Sequence, residues 1–170
     1  MKLPGTFKAL VITLSDRAAE GEYDDLSGPE AEKMLKEYFS DISWSLETET
    51  VIIPDDRARL RQLLNEYSQD NNIIITTGGT GIGPRDITVD VVKDLINIEI
   101  PGIMDHIRLK YGSEKPNALL SRSVAGIMGN CLVYTLPGSV KAVREYMTEI
   151  LKTLQHTIYM QYGVDVHKKH

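Results

Sequence analysis

Ile73-Ile74-Ile75-Thr76-Thr77-Gly78-Gly79-Thr80-Gly81 is the stretch on which the fold turns. A β-branched apolar run breaks directly into a glycine turn. The run is continuous, not alternating. That is the pattern of a strand covered on both faces, as in a parallel sheet between helices. Residues 9–14 and 51–53 read the same way, and 132–136 add a fourth apolar run. Helical periodicity lies between the runs. Ala31, Met34, Leu35, Tyr38 and Phe39 share one face, and Ser27 with Glu30 reads as a capping box. Leu60, Leu63, Leu64 and Tyr67 repeat the spacing. Val143, Met147, Ile150, Leu151, Leu154 and Ile158 form the last and longest stripe. Helices are also predicted near 89–95 and 102–111, and a hairpin over 124–136 that turns at Gly129-Asn130. Strands alternating with helices imply an α/β protein with right-handed βαβ units in an open sheet.

The bulk properties narrow the classes. A chain of 170 residues suits one domain, 1–170, with a polar tail over 163–170 that is expected to fray. Net charge is -5 and no basic stripe is visible, which argues against a general nucleic-acid binder. Arg17, Arg85 and Arg122 instead stand singly beside turns, which suits a small anionic ligand. No apolar run approaches the roughly 18 residues of a membrane span. The single cysteine, Cys131, cannot form an internal disulfide, and the expected location is cytoplasmic. Cys131 borders an apolar run and reads as a core thiol. His106, His156, His167 and His170 show no metal-ligand spacing. Trp44 has a packing or interface role.

The polar residues collect where the runs end. Ser15-Asp16-Arg17 follows the first, Pro54-Asp55-Asp56 the second, the glycine turn the third and Pro137-Gly138-Ser139 the fourth. In an open parallel sheet these ends lie on one edge, where ligands bind, and the following helix N-termini favour an anion. The glycine turn is neither of the two common nucleotide motifs. Pro84-Arg85 replaces the Lys-Ser/Thr of a Walker loop, and Pro84 occupies the third glycine position of the dinucleotide fingerprint. Glycines still bring backbone N–H donors close to a phosphate; the competing reading is a tight turn without a ligand. Asp86 is a candidate functional carboxylate; the competing readings are an ion pair with Arg85 or a turn-stabilising hydrogen bond. Thr88 is placed to cap the next helix. Asp55, on spacing alone, reads as a helix cap, and Ser15 and Asp16 also have turn-forming readings.

Taken together, 76–88 with Ser15-Asp16-Arg17, Ser27-Gly28-Pro29, Ile53-Pro54-Asp55, Ile100-Pro101-Gly102, Leu120-Ser121-Arg122 and Leu136-Pro137-Gly138-Ser139 resemble the molybdenum-cofactor biosynthesis family. That family includes the molybdopterin adenylyltransferases and the gephyrin G domain. The resemblance runs over about 9–154. It implies a three-layer αβα fold with a mostly parallel sheet, assembled as a homotrimer. It implies transfer of AMP from Mg-ATP to molybdopterin phosphate, with hand-over to a molybdenum-inserting partner. Asp55 and Asp86 match the family's two functional aspartates and are candidate Mg²⁺ organisers, so the resemblance displaces the capping reading of Asp55. Thr77, Gly78, Gly79, Thr80 and Gly81 would hold phosphates. Ser15, Asp16, Asp105, Ser121, Arg122, Pro137, Gly138 and Ser139 would line the pterin and nucleotide pockets.

The chemistry agrees with the resemblance. An anionic phosphate nucleophile needs no strong base, so positioning and charge neutralisation carry the rate. Two departures stand out: Val89 where relatives often have proline, and Met128 where many have a basic residue. A non-catalytic molybdopterin carrier or scaffold of the same fold is the alternative. Hydrolysis of a nucleotide pyrophosphate is a third reading, disfavoured because the second domain common in such proteins is absent from this sequence.

Overall fold

The computed structural model describes residues 2–164. Six strands form one sheet in the order β2-β1-β3-β6-β5-β4. They are β1 (Thr6–Leu14), β2 (Ser45–Ile53), β3 (Ile73–Thr77), β4 (Ile98–Glu99), β5 (Ala125–Met128) and β6 (Cys131–Leu136). The first three strands and β6 run parallel, while the short β5 and β4 are antiparallel additions at one side. The β5–β6 pair is the expected hairpin, with Gly129 at φ 59° in its turn.

Alternation along the central strands divides the core between two faces. Ala9 and Val11 of β1, with Ile73 and Ile75 of β3, pack under α2 (Ser27–Asp41), α5 (Pro101–Gly112) and α6 (Val140–Gln161). Leu10, Ile12 and Ile74 face the other way, against α3 (Arg57–Tyr67) and α4 (Thr88–Lys93). Helices on both faces make three layers, and this is why β1 and β3 read as unbroken apolar runs. Trp44 closes the margin of the first core, stacked on Phe7 at 4.9 Å between ring centroids.

Some local expectations change. Residues 51–53 were expected to be covered on both faces, but β2 is an edge strand; Ile53 is buried while Ile52 is 43% exposed. The Ser27–Glu30 capping box does not form. Asp25 caps α2 instead, accepting the N–H groups of Ser27 (2.9 Å) and Gly28 (3.2 Å), while Glu30 pairs with Arg144. Thr88 is the first residue of α4 and donates its hydroxyl to the Gly78 carbonyl at 2.8 Å, so it does not cap. The tail expectation begins at 163, yet Gly163 and Val164 donate N–H groups to Met160 and Tyr159 at the end of α6. The rest of that expectation lies outside the described residues.

Candidate active site

Strand register brings the four polar clusters level. Leu14 pairs with Ile53, Thr13 with Thr77, and Thr77 with Leu136. The segments that follow therefore leave one edge of the sheet together. Ser15 caps the short helix α1 (Asp16–Ala19), and Ser139 caps α6. Asp56, not Asp55, caps α3, accepting the Arg59 N–H at 2.7 Å. Asp55 is thus released from capping. Asp16 Oδ1 accepts the Asp55 N–H at 2.8 Å and fixes it in place.

The glycine turn has a specific polarity. Its carbonyls point back into the protein: Gly78 accepts from the Thr88 hydroxyl, Gly79 from the Thr88 N–H, and Thr80 and Gly81 from Arg122. The N–H groups of Gly79, Thr80 and Gly81 have no hydrogen-bond partner among the described residues. Gly78 and Gly79 adopt φ of 94° and 66°, and a side chain would collide with the Leu14 carbonyl at the first and the Thr88 hydroxyl at the second. Turned carbonyls and open amides make an anion cradle. Asp86 closes the turn, its Oδ2 accepting the Gly83 N–H at 2.7 Å. The expected turn-stabilising bond is therefore present, while the Arg85 partner is Asp16.

Two cavities flank this turn. The first, about 320 Å³, is polar and lies between Ser15, Asp16, Asp55, Arg85 and Asp86. The second, about 460 Å³, has an apolar wall of Leu120, Pro137 and Ala142, with Lys115 and Lys141 among its polar groups. Gly79, Asp86 and Gly138 border both. A third cavity, lined by Glu47, Glu49, Glu66 and Asp70 among others, contains no residue of the glycine turn.

The carboxylates set the electrostatics. Burial, and then the Asp86 charge, push the Asp55 carboxyl above its ordinary value. Arg85 binds Asp16 and stands 3.8 Å from Asp55, but it is largely exposed. Among the described residues no group of three or more His, Cys, Asp or Glu side chains forms a ready metal site. What exists is a partly buried carboxylate, raised by that burial and then by a second carboxylate on the same cavity.

Most expected site residues converge. Ser15, Asp16 and Asp55 reach the first cavity, and Thr80, Gly81, Ser121, Pro137 and Ser139 the second. Four do not border either. Thr77 is buried in a hydroxyl network with Ser27 and Thr13. Gly78 gives its N–H to the Leu136 carbonyl at 2.9 Å and cannot offer it to a phosphate. Arg122 is a strut, bonded to the carbonyls of Gly81 and Asp86 and to Asp90. Asp105 pairs with Arg108 on the surface of α5. Sequence reading missed Tyr23, whose hydroxyl is 2.8 Å from Ser15 Oγ, and the second-cavity residues Lys115, Lys141, Glu145 and Tyr146. Cys131 is a core thiol, its pKa pushed up to about 12 by burial.

Residues 10–156 match the family described as "Probable molybdopterin binding domain". The chain is 38% identical over 155 residues to gephyrin of Dictyostelium discoideum, covering 87% of this chain and 21% of that one. It is 34% identical over 157 residues to a molybdopterin adenylyltransferase of Helicobacter pylori, covering 90% of this chain and 86% of the relative. It therefore spans about a fifth of the gephyrin but most of the bacterial protein. The solved tungsten cofactor synthesizing protein MoaB of Pyrococcus furiosus is similar in fold. Its TM-score is 0.78 at 34% identity, covering 96% of this chain and all of that one.

Proposed function

The chain belongs to this family of molybdopterin-binding domains, and we propose that it is a molybdopterin adenylyltransferase of molybdenum-cofactor biosynthesis. A phosphate oxygen of molybdopterin attacks the α-phosphorus of ATP. The new P–O bond forms as the bond between the α-phosphorus and the α,β-bridging oxygen breaks. Pyrophosphate leaves with that electron pair. The observation that carries this reading is the turn with open Gly79, Thr80 and Gly81 amides standing between two cavities, with Asp86 on both and Asp55 across one.

Each residue has a physical task. The three amides hold a phosphate and stabilise charge as it shifts between oxygens. Ser15 and Asp16 line the first cavity, and Ser121, Pro137 and Ser139 the second, so that the substrates meet at Gly79 and Gly138. Arg122 keeps the turn carbonyls directed inward. Asp55 and Asp86 fit Mg²⁺, which takes one or two carboxylates plus phosphate oxygens and water. Bound there, the ion supplies neutralisation of the triphosphate charge. Burial first and the Asp86 charge second raise the Asp55 carboxyl, and a cation held between the two carboxylates would offset both.

Purified full-length chain mixed with molybdopterin, ATP and MgCl₂ is expected to release pyrophosphate and yield adenylated pterin. No release from folded protein overturns the reading. Pterin binding by calorimetry without ATP binding or turnover marks a carrier instead. The same reading includes a cytoplasmic homotrimer that passes its product to a molybdenum-inserting protein; a monomer mass at micromolar concentration breaks the trimer. No helix of the described residues is long and apolar enough to cross a membrane.

A further inference from the structure

At the floor of the first cavity, which Thr13 and Ser27 help to line, four side chains stand in a ring of polar contacts. Thr13 Oγ1 donates to Asp25 Oδ2 at 2.6 Å, and Ser27 Oγ donates to Asp25 Oδ1 at 2.9 Å. Ser27 Oγ and Thr77 Oγ1 are 2.9 Å apart, and Thr77 Oγ1 reaches Thr13 Oγ1 at 3.3 Å. The three hydroxyl residues are all buried. An ionised carboxylate accepts only, so Thr13 and Ser27 each direct their one proton to Asp25. The one Thr77 proton goes to Thr13 Oγ1 or to Ser27 Oγ, so three hydrogen bonds hold the four side chains together. The carboxylate thus orients Thr13 and Ser27 directly and reaches Thr77 through them. The packing is tight: a Cβ at Gly28 would lie 2.5 Å from both Asp25 Oδ2 and Thr13 Oγ1.

The ring joins the end of β1, the end of β3 and the start of α2. Thr13 lies two residues before Ser15 and three before Asp16. Thr77 immediately precedes Gly78 and the open amides. Ser27 begins α2. We infer that Asp25 is a positioning residue of the proposed transfer: through Thr13 and Thr77 it sets the spacing between the Asp16–Asp55 side of the cleft and the glycine turn. Its effect on turnover rests on the transferase reading; its effect on the glycine turn does not. The competing role is a cap for α2 and nothing more, since Asp25 also accepts the Ser27 and Gly28 N–H groups.

Thr13→Val separates the two roles. It is close in shape, breaks the ring and leaves both capping bonds in place. Three full-length variants, Asp25→Asn, Thr13→Val and Thr13→Ser, are compared with the wild type. Misplacement of reacting groups by a fraction of an ångström costs rate more than binding, so kcat is expected to fall about 10- to 100-fold in the first two. KM for ATP should stay within about threefold, and Thr13→Ser should recover most of the loss because it restores the hydroxyl. The second readout needs no activity. The Gly78 N–H is bonded to Leu136 and the Thr88 N–H to Gly79. Their hydrogen exchange is expected to accelerate about tenfold in Thr13→Val and in Asp25→Asn. Acceleration confined to the first turn of α2, or none in Thr13→Val, overturns the positioning role and leaves a cap. Variants that exchange as expected beside a wild type that makes no adenylated pterin sink the transferase reading alone.

Discussion

Two carboxylates in this molecule meet opposite fates. Glu149 on α6 is 5% exposed and is gripped by Lys110 at 2.7 Å, Lys152 at 2.8 Å and His106 at 3.2 Å. Burial works to raise its carboxyl, but those partners overcome burial and hold it at about 2. Asp55 at the strand edge is raised by burial and again by Asp86, and Arg85, the cation 3.8 Å from it, leans on Asp16. The α5–α6 clasp satisfies its own charge. The cleft leaves charge unmet, which is a cost in folding and a capacity in binding. The difference separates a carboxylate that holds helices together from one that receives a ligand's counter-ion.

The strongest way to break this contrast is to remove charge from each side. Asp55→Asn and Asp86→Asn are expected to lower kcat about 10²- to 10³-fold, because preorganised charge is the main source of acceleration in such a site. Asn retains an acceptor for the Gly83 N–H, so far-UV circular dichroism should not change. Pyrophosphate release measures the loss, and wild-type turnover in either variant removes that residue from the mechanism.

Glu149→Gln should behave in the reverse manner. It is expected to lose about 2 kcal/mol of stability at pH 7 with turnover intact, the figure being moderated because Lys110 and Lys152 are roughly half exposed and hydrate when released. The sign with pH follows from the lowered carboxyl. Its contribution is complete above the ordinary value of 4.5 and is lost as pH falls toward about 2. Urea titrations of wild type and variant should therefore converge at acid pH. Curves that stay parallel down to pH 2 mean that the clasp is held by packing.

The next effect is smaller and distinguishes the two sides of the glycine turn. Arg85→Gln alters the charged cavity and Ala142→Trp fills the apolar wall of the other. Each is expected to raise KM about fivefold for one substrate, roughly 1 kcal/mol, and to spare the other. Steady-state kinetics with ATP and molybdopterin varied in turn show the crossover. Equal effects on both substrates dissolve the division.

Legibility of the sequence divides along the same line. Residues directly behind a strand inherit its position, so Ser15, Asp16, Asp55 and Gly138 could be placed at the edge from the apolar runs alone. The apolar wall is different. Ala142, Glu145 and Tyr146 belong to the long helix α6, and whether they meet a cavity depends on where the 3-10 turn Pro116–Leu120 packs. Nothing local signals that. Asp55 and Asp56 show a finer limit. Spacing pointed to Asp55 as the cap of α3, and the backbone, with Asp56 extended at φ -116°, gives that place to its neighbour. Arg122 looked like a ligand contact because it follows a turn; its three carbonyl and carboxylate partners are distant in sequence, and they make it a strut. Gly78 gave the same signal as Gly79 but falsely, since a glycine pattern does not reveal which amide the neighbouring strand consumes.

The smallest effect tests the contrast at its root. A carboxyl raised in the folded state favours folding most below its unfolded value, and the advantage fades as pH rises through the folded one. Asp55 should therefore make the wild type progressively less stable than Asp55→Asn as pH climbs through and beyond the usual carboxylate range, the opposite trend to Glu149. The difference in Tm between the two proteins, followed from pH 3 to pH 7 without added metal, should grow in favour of the variant. Millimolar MgCl₂ with ATP should shrink or reverse it, because a cation that binds the ionised carboxylate stabilises only the wild type. A gap that is flat with pH means that Asp55 is already neutralised within the protein, most directly by Arg85. Arg85→Gln should then open the gap, which would move the counter-ion of the cleft from the ligand to the chain itself.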